Sequence, residues 1–203
     1  MDNIEKELEA GRAVILPTET VYGIFAKALD QEAVDYIYEL KRRPRDKALN
    51  LNVADEKTIR IYSKNQPSYL TKLIHSFLPG PLTIILQANE KVPNWIHSGL
   101  DTVGFRIPAH PKTLDLIRKY GPLVGPSANL SGHASGTKYK AIVSEFDQVV
   151  PGIEDDDFLT GQDSTILDIS SSKARILRQG SITKADFLAQ VPELLFEEDE
   201  LPQ

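Results

Sequence analysis

The densest group of charged side chains lies between residues 41 and 47. Five of these seven residues are cationic, in the order Lys-Arg-Arg-Pro-Arg-Asp-Lys, although the whole chain carries 29 acidic against 23 basic residues and a formal net charge of −6. Arginine forks bind phosphate oxygens in pairs and lysine adds a point charge, so the run predicts an anion site. Cations that meet the exposed carbonyls of a helix C-terminus would explain the same residues without a ligand.

Two further segments place short polar side chains directly after predicted strands. Residues 17–23, PTETVYG, combine two threonines with a carboxylate and a phenol, and residues 125–132, GPSANLSG, offer hydroxyl, amide and backbone N–H groups. Ligands bind at strand ends in α/β sheets, and such loops suit phosphate or ribose. An ordinary polar turn explains residues 125–132 equally well. For residues 17–23 the alternative is that the threonines and the tyrosine pack at this position and cap the next segment. A serine nucleophile at Ser127 is disfavoured because the segment is not G-x-S-x-G.

Arg106 lies within an apolar strand pattern, on the face opposite Val103, Phe105 and Ile107. An unpaired charge in that position would be very unfavourable. The sequence therefore predicts either a carboxylate ligand or a structural aspartate partner for this guanidinium group. The four histidines lack metal-like spacing, so we expect surface or capping roles for them and no metal ion ligated directly by the protein.

The elements that must position these residues form a predicted α/β domain. Short apolar or alternating segments predict strands at residues 13–16, 49–53, 82–86, 103–107, 123–124, 165–169 and 175–177. Amphipathic spacing predicts helices around residues 4–8, from Asp30 to before Pro44, at 69–78, near 114–121, near 142–146 and after Thr183. Strict βαβ alternation fails, which favours a single twisted mixed sheet flanked by helices. We expect one domain over residues 1–190 and a flexible acidic tail over 191–203.

Composition excludes several classes of protein. The chain has no cysteine, which removes disulfides, cysteine zinc sites and a thiol nucleophile. The two common nucleotide-binding signatures, G-x-x-x-x-G-K-[ST] and G-x-G-x-x-G, are absent from the sequence, so a phosphate site would have to be built differently. We expect a cytoplasmic protein without membrane association, because the sequence has no apolar run of spanning length and no signal pattern. The net charge of −6 disfavours a general nucleic-acid coat.

Taken together, the polar segments resemble the YrdC-like family of threonylcarbamoyl-AMP synthases. The segments that carry the resemblance are PTETVYG at 17–23, K-x-R-P at 41–44, F-x-P-G-P-L-T at 77–83, T-V-G-F-R-I-P at 102–108, P-S-A-N-x-S-G at 126–132, D-S-T-I at 163–166 and R-Q-G at 178–180. The resemblance implies a YrdC/RibB-like (DHBP synthase-like) fold with a positively charged concave site. It implies that L-threonine, bicarbonate and ATP with Mg²⁺ give threonylcarbamoyl-AMP and pyrophosphate. The product would pass to a tRNA-modifying threonylcarbamoyl transferase complex.

The same resemblance implies roles for individual residues. The catalytic set that would hold the phosphates is Lys41, Arg43, Ser127 and Asn129. ATP contacts would come from Arg43, Lys47, Ser127, Ser135 and Arg178. Threonine contacts would come from Thr20, Tyr22, Asn52, Arg106 and Ser164, with Arg106 as the carboxylate clamp.

Two positions depart from the family pattern. Asn52 stands where many longer relatives have a histidine near threonine, and Ala48 replaces a frequent proline. Two other interpretations remain open at this point: a double-stranded RNA or tRNA-binding protein without ATP turnover, and a related enzyme that takes a carbamoyl group from another donor. The absence of cysteine disfavours the second, because such maturation proteins usually carry zinc-finger domains.

Overall fold

Helices and strands alternate irregularly along the chain, as the sequence predicts. The computed structural model describes residues 3–147 and 149–197. Within them the strands are β1 (Val14–Leu16), β2 (Gly23–Lys27), β3 (Leu51–Asn52), β4 (Ser63–Lys64), β5 (Leu82–Ala88), β6 (Thr102–Arg106), β7 (Leu123–Val124), β8 (Thr165–Asp168) and β9 (Arg175–Arg178). The α-helices are α1 (Asn3–Glu9), α2 (Gln31–Leu40), α3 (Glu56–Tyr62), α4 (Leu70–Phe77), α5 (Asn94–His97), α6 (Pro111–Tyr120), α7 (Tyr139–Val143) and α8 (Lys184–Gln190).

The strands join into one mixed sheet, which confirms the predicted fold class. Their order is β1-β2-β7-β3-β6-β5-β8-β9, and β4 pairs with β5. The pairs β3–β6 and β5–β8 are parallel, whereas β1–β2, β2–β7, β3–β7, β5–β6 and β8–β9 are antiparallel. The centre of the sheet therefore brings together strands that are far apart in sequence.

The first strands of the sheet are buried on both faces. Ile15 belongs to the larger apolar core. Val14 and Leu16 point the other way, into a second core that includes Leu8 of α1 and Ile117 of α6. This explains why the sequence of β1 is a continuous apolar run and does not alternate between apolar and polar residues.

Helix α2 ends in a turn that redirects the chain toward the centre of the sheet. It begins as predicted, with the side chain of Asp30 accepting a hydrogen bond from Ala33 N. At its end, Arg42 N donates to Glu39 O at 3.0 Å and Arg43 N donates to Tyr38 O at 2.9 Å. These two bonds define a Schellman motif. Arg42 occupies the position in that motif where glycine is usual, and its φ is 51°.

Some elements are not predicted by the sequence. Strand β2 follows directly on the polar segment 17–23. Its apolar residues are too few to show the two-residue periodicity of a strand, so the sequence does not predict it. Helix α3 is also missed because it buries only Ile59. The longest helices, α2 and α6, have ten residues each, so no helix in the described ranges could cross a bilayer.

The packing continues past residue 190, where the sequence predicts the tail to begin. Val191 and Leu194 are buried, and Ala174 pairs with Phe196 in a parallel bridge. Residues 191–197 are therefore attached to the domain because two of their apolar side chains complete the core. The remainder of the predicted tail, residues 198–203, lies outside the described residues.

The left-handed residue at the end of α2 gives a prediction about stability. A Cβ atom is unfavourable in this conformation, whereas glycine adopts it freely. We expect Arg42→Gly to be more stable than Arg42→Ala by about 0.5–1 kcal/mol in urea unfolding. Both variants lose the same exposed ion pair with Asp147, so their difference isolates the backbone effect. Equal stabilities would contradict the conformation described for Arg42.

Candidate functional site

A cavity of about 270 Å³ opens over the central strands of the sheet. Its walls come from the segments 18–23, 43–49 and 125–127 and from Arg178. Side chains on one sheet face form its floor: Asn50, Asn52, Thr83, Arg106, Ser164 and Ile166. They share this face because alternate residues of a strand point the same way. The cavity thus collects side chains from most of the polar segments singled out in the sequence.

The strand register explains which floor residues are neighbours. Asn52 is paired with Arg106 in the parallel β3–β6 ladder. In the antiparallel β5–β6 ladder Ile84 is paired with Phe105, so Thr83 lies beside Arg106. Residues directly opposite on neighbouring strands have Cβ atoms about 5 Å apart. Arg106 is therefore flanked on both sides by polar side chains.

The turn after α2 points Arg43 into the cavity. Its guanidinium group donates to Lys47 O at 3.2 Å and to Ala48 O at 2.8 Å. These bonds hold the side chain against the segment that leads into β3, and burial lowers the pKa of Arg43. Arginine remains charged even so, because its ordinary pKa lies far above neutral pH.

Lys41 lies behind the cavity wall rather than in the cavity. Its ammonium group donates to Ser127 O at 2.5 Å and also to Asn129 O, and Ser131 N returns a bond to Lys41 O at 3.0 Å. Burial lowers the pKa of Lys41 to about 7, and the neighbouring charge of Arg43 adds to the effect. Lys41 therefore fixes the 127–131 turn to the end of α2.

The same turn is joined to the segment 17–23. Gly23 and Ser127 form an antiparallel bridge, Ile24 N donates to Pro126 O at 2.8 Å, and Ala128 N donates to Tyr22 O at 2.7 Å. The side-chain amide of Asn129 donates inward to Leu130 O and His133 O, at 2.9 and 2.8 Å. The two polar loops are therefore paired as short extensions of strands, and they do not form independent turns.

A third loop supports the segment 17–23 from outside. The hydroxyl of Tyr22 donates to Asp156 Oδ1 at 2.8 Å and accepts from Asp155 N at 2.8 Å. Burial raises the pKa of Tyr22. Gly161 N also donates to Thr20 O at 2.8 Å. Tyr22 lines the cavity, and its hydroxyl is bound by Asp155 and Asp156, neither of which is among the lining residues.

Arg106 has a structural acidic partner, which is one of the two possibilities that the sequence left open. Its Nη2 donates at 2.6 Å to both Glu19 Oε1 and Thr20 Oγ1. The pair with Glu19 is mostly buried, with side-chain exposures of 13% and 14%. Its Nε is buried and has no hydrogen-bond partner within the described residues. The acidic partner is a glutamate and not the aspartate that we considered, and the guanidinium group still lines the cavity.

On the far side of the cavity, Arg178 is tied to Ser164. Its Nε donates to Ser164 O at 2.9 Å and its Nη2 donates to Ser164 Oγ at 3.0 Å. Ser164 Oγ is also 3.2 Å from Thr83 Oγ1. Gly180 permits this close approach, because a Cβ atom there would overlap the backbone of Asp163 and Thr165.

The predicted site residues fall into three groups. Those that line the cavity are Tyr22, Arg43, Asn52, Arg106, Ser127, Ser164 and Arg178. Those that lie behind it and hold its walls are Thr20, Lys41 and Asn129. Ser135 reaches only the rim, where its hydroxyl is 3.3 Å from Asp163 Oδ1, and the side chain of Lys47 is exposed outside the cavity.

Sequence reasoning missed four polar residues that also line the cavity: Thr18, Asn50, Thr83 and Asp163. The alternation of β3 could have identified Asn50, because it lies two residues before Asn52. Thr18, Thr83 and Asp163 belong to segments that carry the family resemblance, but the sequence assigns them no role of their own. Glu19 was missed as the charge partner of Arg106, because its partner is distant in sequence.

Comparison with known proteins gives a consistent set of similarities. The family described as telomere recombination, comprising Sua5, YciO and YrdC, matches residues 6–180. A protein from Pyrococcus abyssi named threonylcarbamoyl-AMP synthase is 38% identical over 177 residues, which are 86% of this chain and 52% of that protein. One of the same name from Bacillus subtilis is 38% identical over 187 residues, covering 91% of this chain and 54% of that protein.

A solved structure resembles this one closely. The crystal structure of P. abyssi Sua5 complexed with L-threonine superposes with a TM-score of 0.87 at 36% identity, over 95% of this chain and 57% of that chain. The chain spans about half the length of the two curated relatives that it matches.

The buried ammonium group of Lys41 predicts a pH dependence of stability. Its pKa is about 7 in the folded protein but near 10.4 in an unfolded chain. Between these values the unfolded state binds more protons, so the contribution of Lys41 to stability rises with pH. We expect the unfolding free energy of the wild type, relative to Lys41→Met, to increase by up to about 1.4 kcal/mol per pH unit between pH 7 and 10.

Urea unfolding at several pH values measures this difference. Lys57→Met, which removes an exposed lysine of α3, controls for the loss of one charge. If the curves for wild type and Lys41→Met ran parallel from pH 6 to 10, Lys41 would not be the buried titrating group described above.

Proposed function

The chain belongs to the Sua5/YciO/YrdC family, and we propose that it is an L-threonylcarbamoyladenylate synthase. As such it is a nucleotidyltransferase that makes threonylcarbamoyl-AMP and pyrophosphate from L-threonine, bicarbonate and ATP. Two relatives with the corresponding name and a similar Sua5 structure that holds L-threonine support this proposal. The observation that carries it is the convergence of Arg43, Arg106 and Arg178 on one cavity in a chain whose net charge is −6.

The nucleotide would occupy the side of the cavity formed by Arg43, Ser127 and Arg178. Two guanidinium groups with fixed orientation suit phosphate oxygens, which they can bind in pairs. Ser135 would meet the nucleotide at the rim, and Lys47 would reach it only after a change of side-chain conformation.

L-Threonine would occupy the floor near Arg106. A carboxylate is the natural ligand of a guanidinium group that lines a cavity and is held from behind by Thr20 and Glu19. Asn52 and Ser164 lie on the two sides of this position and provide amide and hydroxyl groups for the polar side chain of the substrate. Asn52 replaces the histidine of many longer relatives with a neutral donor and acceptor.

The arrangement suits the chemistry that the reaction requires. The amino group of threonine and bicarbonate give a carbamate with loss of water. A carbamate oxygen then forms a bond to the α-phosphorus, and the bond from this phosphorus to the pyrophosphate oxygen breaks. Two anions must approach each other while charge grows on the phosphate oxygens, so fixed cations and positioning would supply most of the catalysis.

Magnesium would accompany the triphosphate. Such an ion would be held mainly by phosphate oxygens and water. Asp163, the carboxylate at the cavity, and the hydroxyl of Ser127 are the groups that could meet such an ion. It would supply charge neutralisation on the phosphates.

The product would pass to a threonylcarbamoyl transferase complex that modifies tRNA. Direct binding of tRNA or double-stranded RNA receives little support from the basic segment. Lys41 is buried, Arg43 lines the cavity, and Arg42 and Arg45 form ion pairs with Asp147 and Asp35. Few of the cations of this segment are therefore left for a phosphate backbone.

Removal of Arg43 tests the nucleotide side of the proposal. Hydrogen bonds to charged groups contribute about 1.5–3 kcal/mol, so we expect Arg43→Ala to lower kcat/KM for ATP by about 10–100-fold. The measurement is pyrophosphate release with ATP, Mg²⁺, bicarbonate and L-threonine. Arg45→Ala removes a neighbouring cation at the surface and should retain full activity. Equal losses in the two variants would point to the net charge of the segment and not to a phosphate contact.

Removal of the Arg106 charge tests the threonine side. The single variant would leave Glu19 buried without its partner, which is strongly destabilising. The double variant Glu19→Gln/Arg106→Gln removes both charges and keeps groups able to form a hydrogen bond. We expect it to melt close to the wild type but to weaken L-threonine binding by about 10–100-fold in calorimetry. A double variant that binds threonine normally would exclude Arg106 as the carboxylate site.

A further inference from the structure

Asp163 is an unusual residue in this cavity. It is the single carboxylate among the described residues that line it, where Arg43, Arg106 and Arg178 supply three cations. Its contacts are long: Oδ1 is 3.3 Å from Ser135 Oγ and Oδ2 is 3.8 Å from Arg178 Nη1. Its side chain is 40% exposed. Its oxygens are therefore available for a ligand, and their charge is opposite to that of the rest of the site.

We propose that Asp163 binds the amino group of the amino-acid substrate. This inference rests on the proposed function, because it takes L-threonine as the substrate. The carboxylate of an amino acid matches Arg106, but its ammonium group has no counterpart among the guanidinium groups of the cavity. A carboxylate is the side chain that meets this need, through a charge-assisted hydrogen bond.

The strand order places Asp163 and Arg106 on opposite sides of β5. Arg106 ends β6, and Asp163 lies two residues before the start of β8, with β5 between the two strands. Two strand spacings are about 10 Å. An α-amino acid with one hydrogen bond to its carboxylate and one to its amino group spans about 8 Å. Arg106 lies beside Thr83, and Asp163 lies three residues before Ile166, which is the partner of Thr83. Both residues line the same cavity, so one such molecule would lie obliquely across β5 between them.

The position of the amino group matters for the reaction, because this nitrogen must form the bond to the carbon of bicarbonate. Asp163 would accept a hydrogen bond from the nitrogen before and after that step. It would thus orient the nitrogen between the floor and the nucleotide side of the cavity, near Arg178. Amino acids and simple hydroxy acids would be distinguished at this residue, because only the former carry the group that Asp163 recognises.

A comparison of two ligands tests the assignment. (R)-3-Hydroxybutanoate has the carboxylate, hydroxyl and methyl groups of L-threonine but lacks the amino group. We expect the wild type to bind L-threonine at least about tenfold more tightly than this analogue, and Asp163→Asn to bind both with similar affinity. Calorimetry with each ligand gives the ratio of dissociation constants. A purely structural role for Asp163 would weaken both ligands together and leave the ratio unchanged.

The controls separate this inference from the proposed function. Asp115→Asn removes an exposed carboxylate on α6 and should keep the wild-type ratio, and Asp163→Glu should restore part of the preference. If Asp163→Asn keeps the wild-type preference, or changes only the magnesium requirement of the reaction, the role of Asp163 is wrong while the synthase proposal stands. If the wild type binds neither ligand, the threonine proposal itself fails.

Discussion

The buried ammonium group of Lys41 is the interaction on which the site depends. It joins the end of α2 to the carbonyls of Ser127 and Asn129, which are 86 and 88 residues away in sequence. Only 2% of the Lys41 surface is exposed, so the contact costs the free energy of removing a charge from water. Such a cost is tolerated only where the hydrogen-bond acceptors are well placed. Once it forms, the position of Arg43 relative to Ser127 is fixed, since each lies within two residues of an atom that Lys41 holds. A cation in the basic segment thus has a structural role that makes the anion site possible.

Electrostatic balance sets a second constraint. Three arginines face one cavity, and each has an acceptor of its own: carbonyls for Arg43, Glu19 for Arg106 and the oxygens of Ser164 for Arg178. Only the middle one is neutralised by a buried carboxylate. Arg43 is held by carbonyl oxygens alone, whereas Arg178 is held by Ser164 and also faces the partly exposed carboxylate of Asp163 at 3.8 Å. The charge of Arg43 and part of that of Arg178 therefore remain available to an anion, and an acidic protein can in this way present a locally positive cavity.

The sequence predicts the mixed α/β class, most of the elements and the segments that meet at the cavity, because each of these depends on local patterns. The cap at Asp30 and the helix end before Pro44 belong to this group. What it could not predict depends on contacts between distant segments. The sequence does not show that the ammonium group of Lys41 is held by the carbonyls of Ser127 and Asn129, or that the hydroxyl of Tyr22, a residue that lines the cavity, is bound to Asp156. Nor does it show that Lys47 is exposed outside the cavity while Arg43 lines it.

The two sides of the cavity are built from different kinds of structure, and this affects how each can change. The side of Arg43 and Ser127 depends on turns and backbone carbonyls, so most substitutions there alter the course of the chain. The side of Arg106 is a flat sheet face, where Asn50, Asn52 and Thr83 project from regular strands. Side chains on such a face can be exchanged while the backbone keeps its hydrogen bonds. An exchange such as that at Asn52 can therefore occur on this face without a change in the course of the backbone. Ala48, the other departure from the family pattern, lies on the side of Arg43, which binds its carbonyl oxygen.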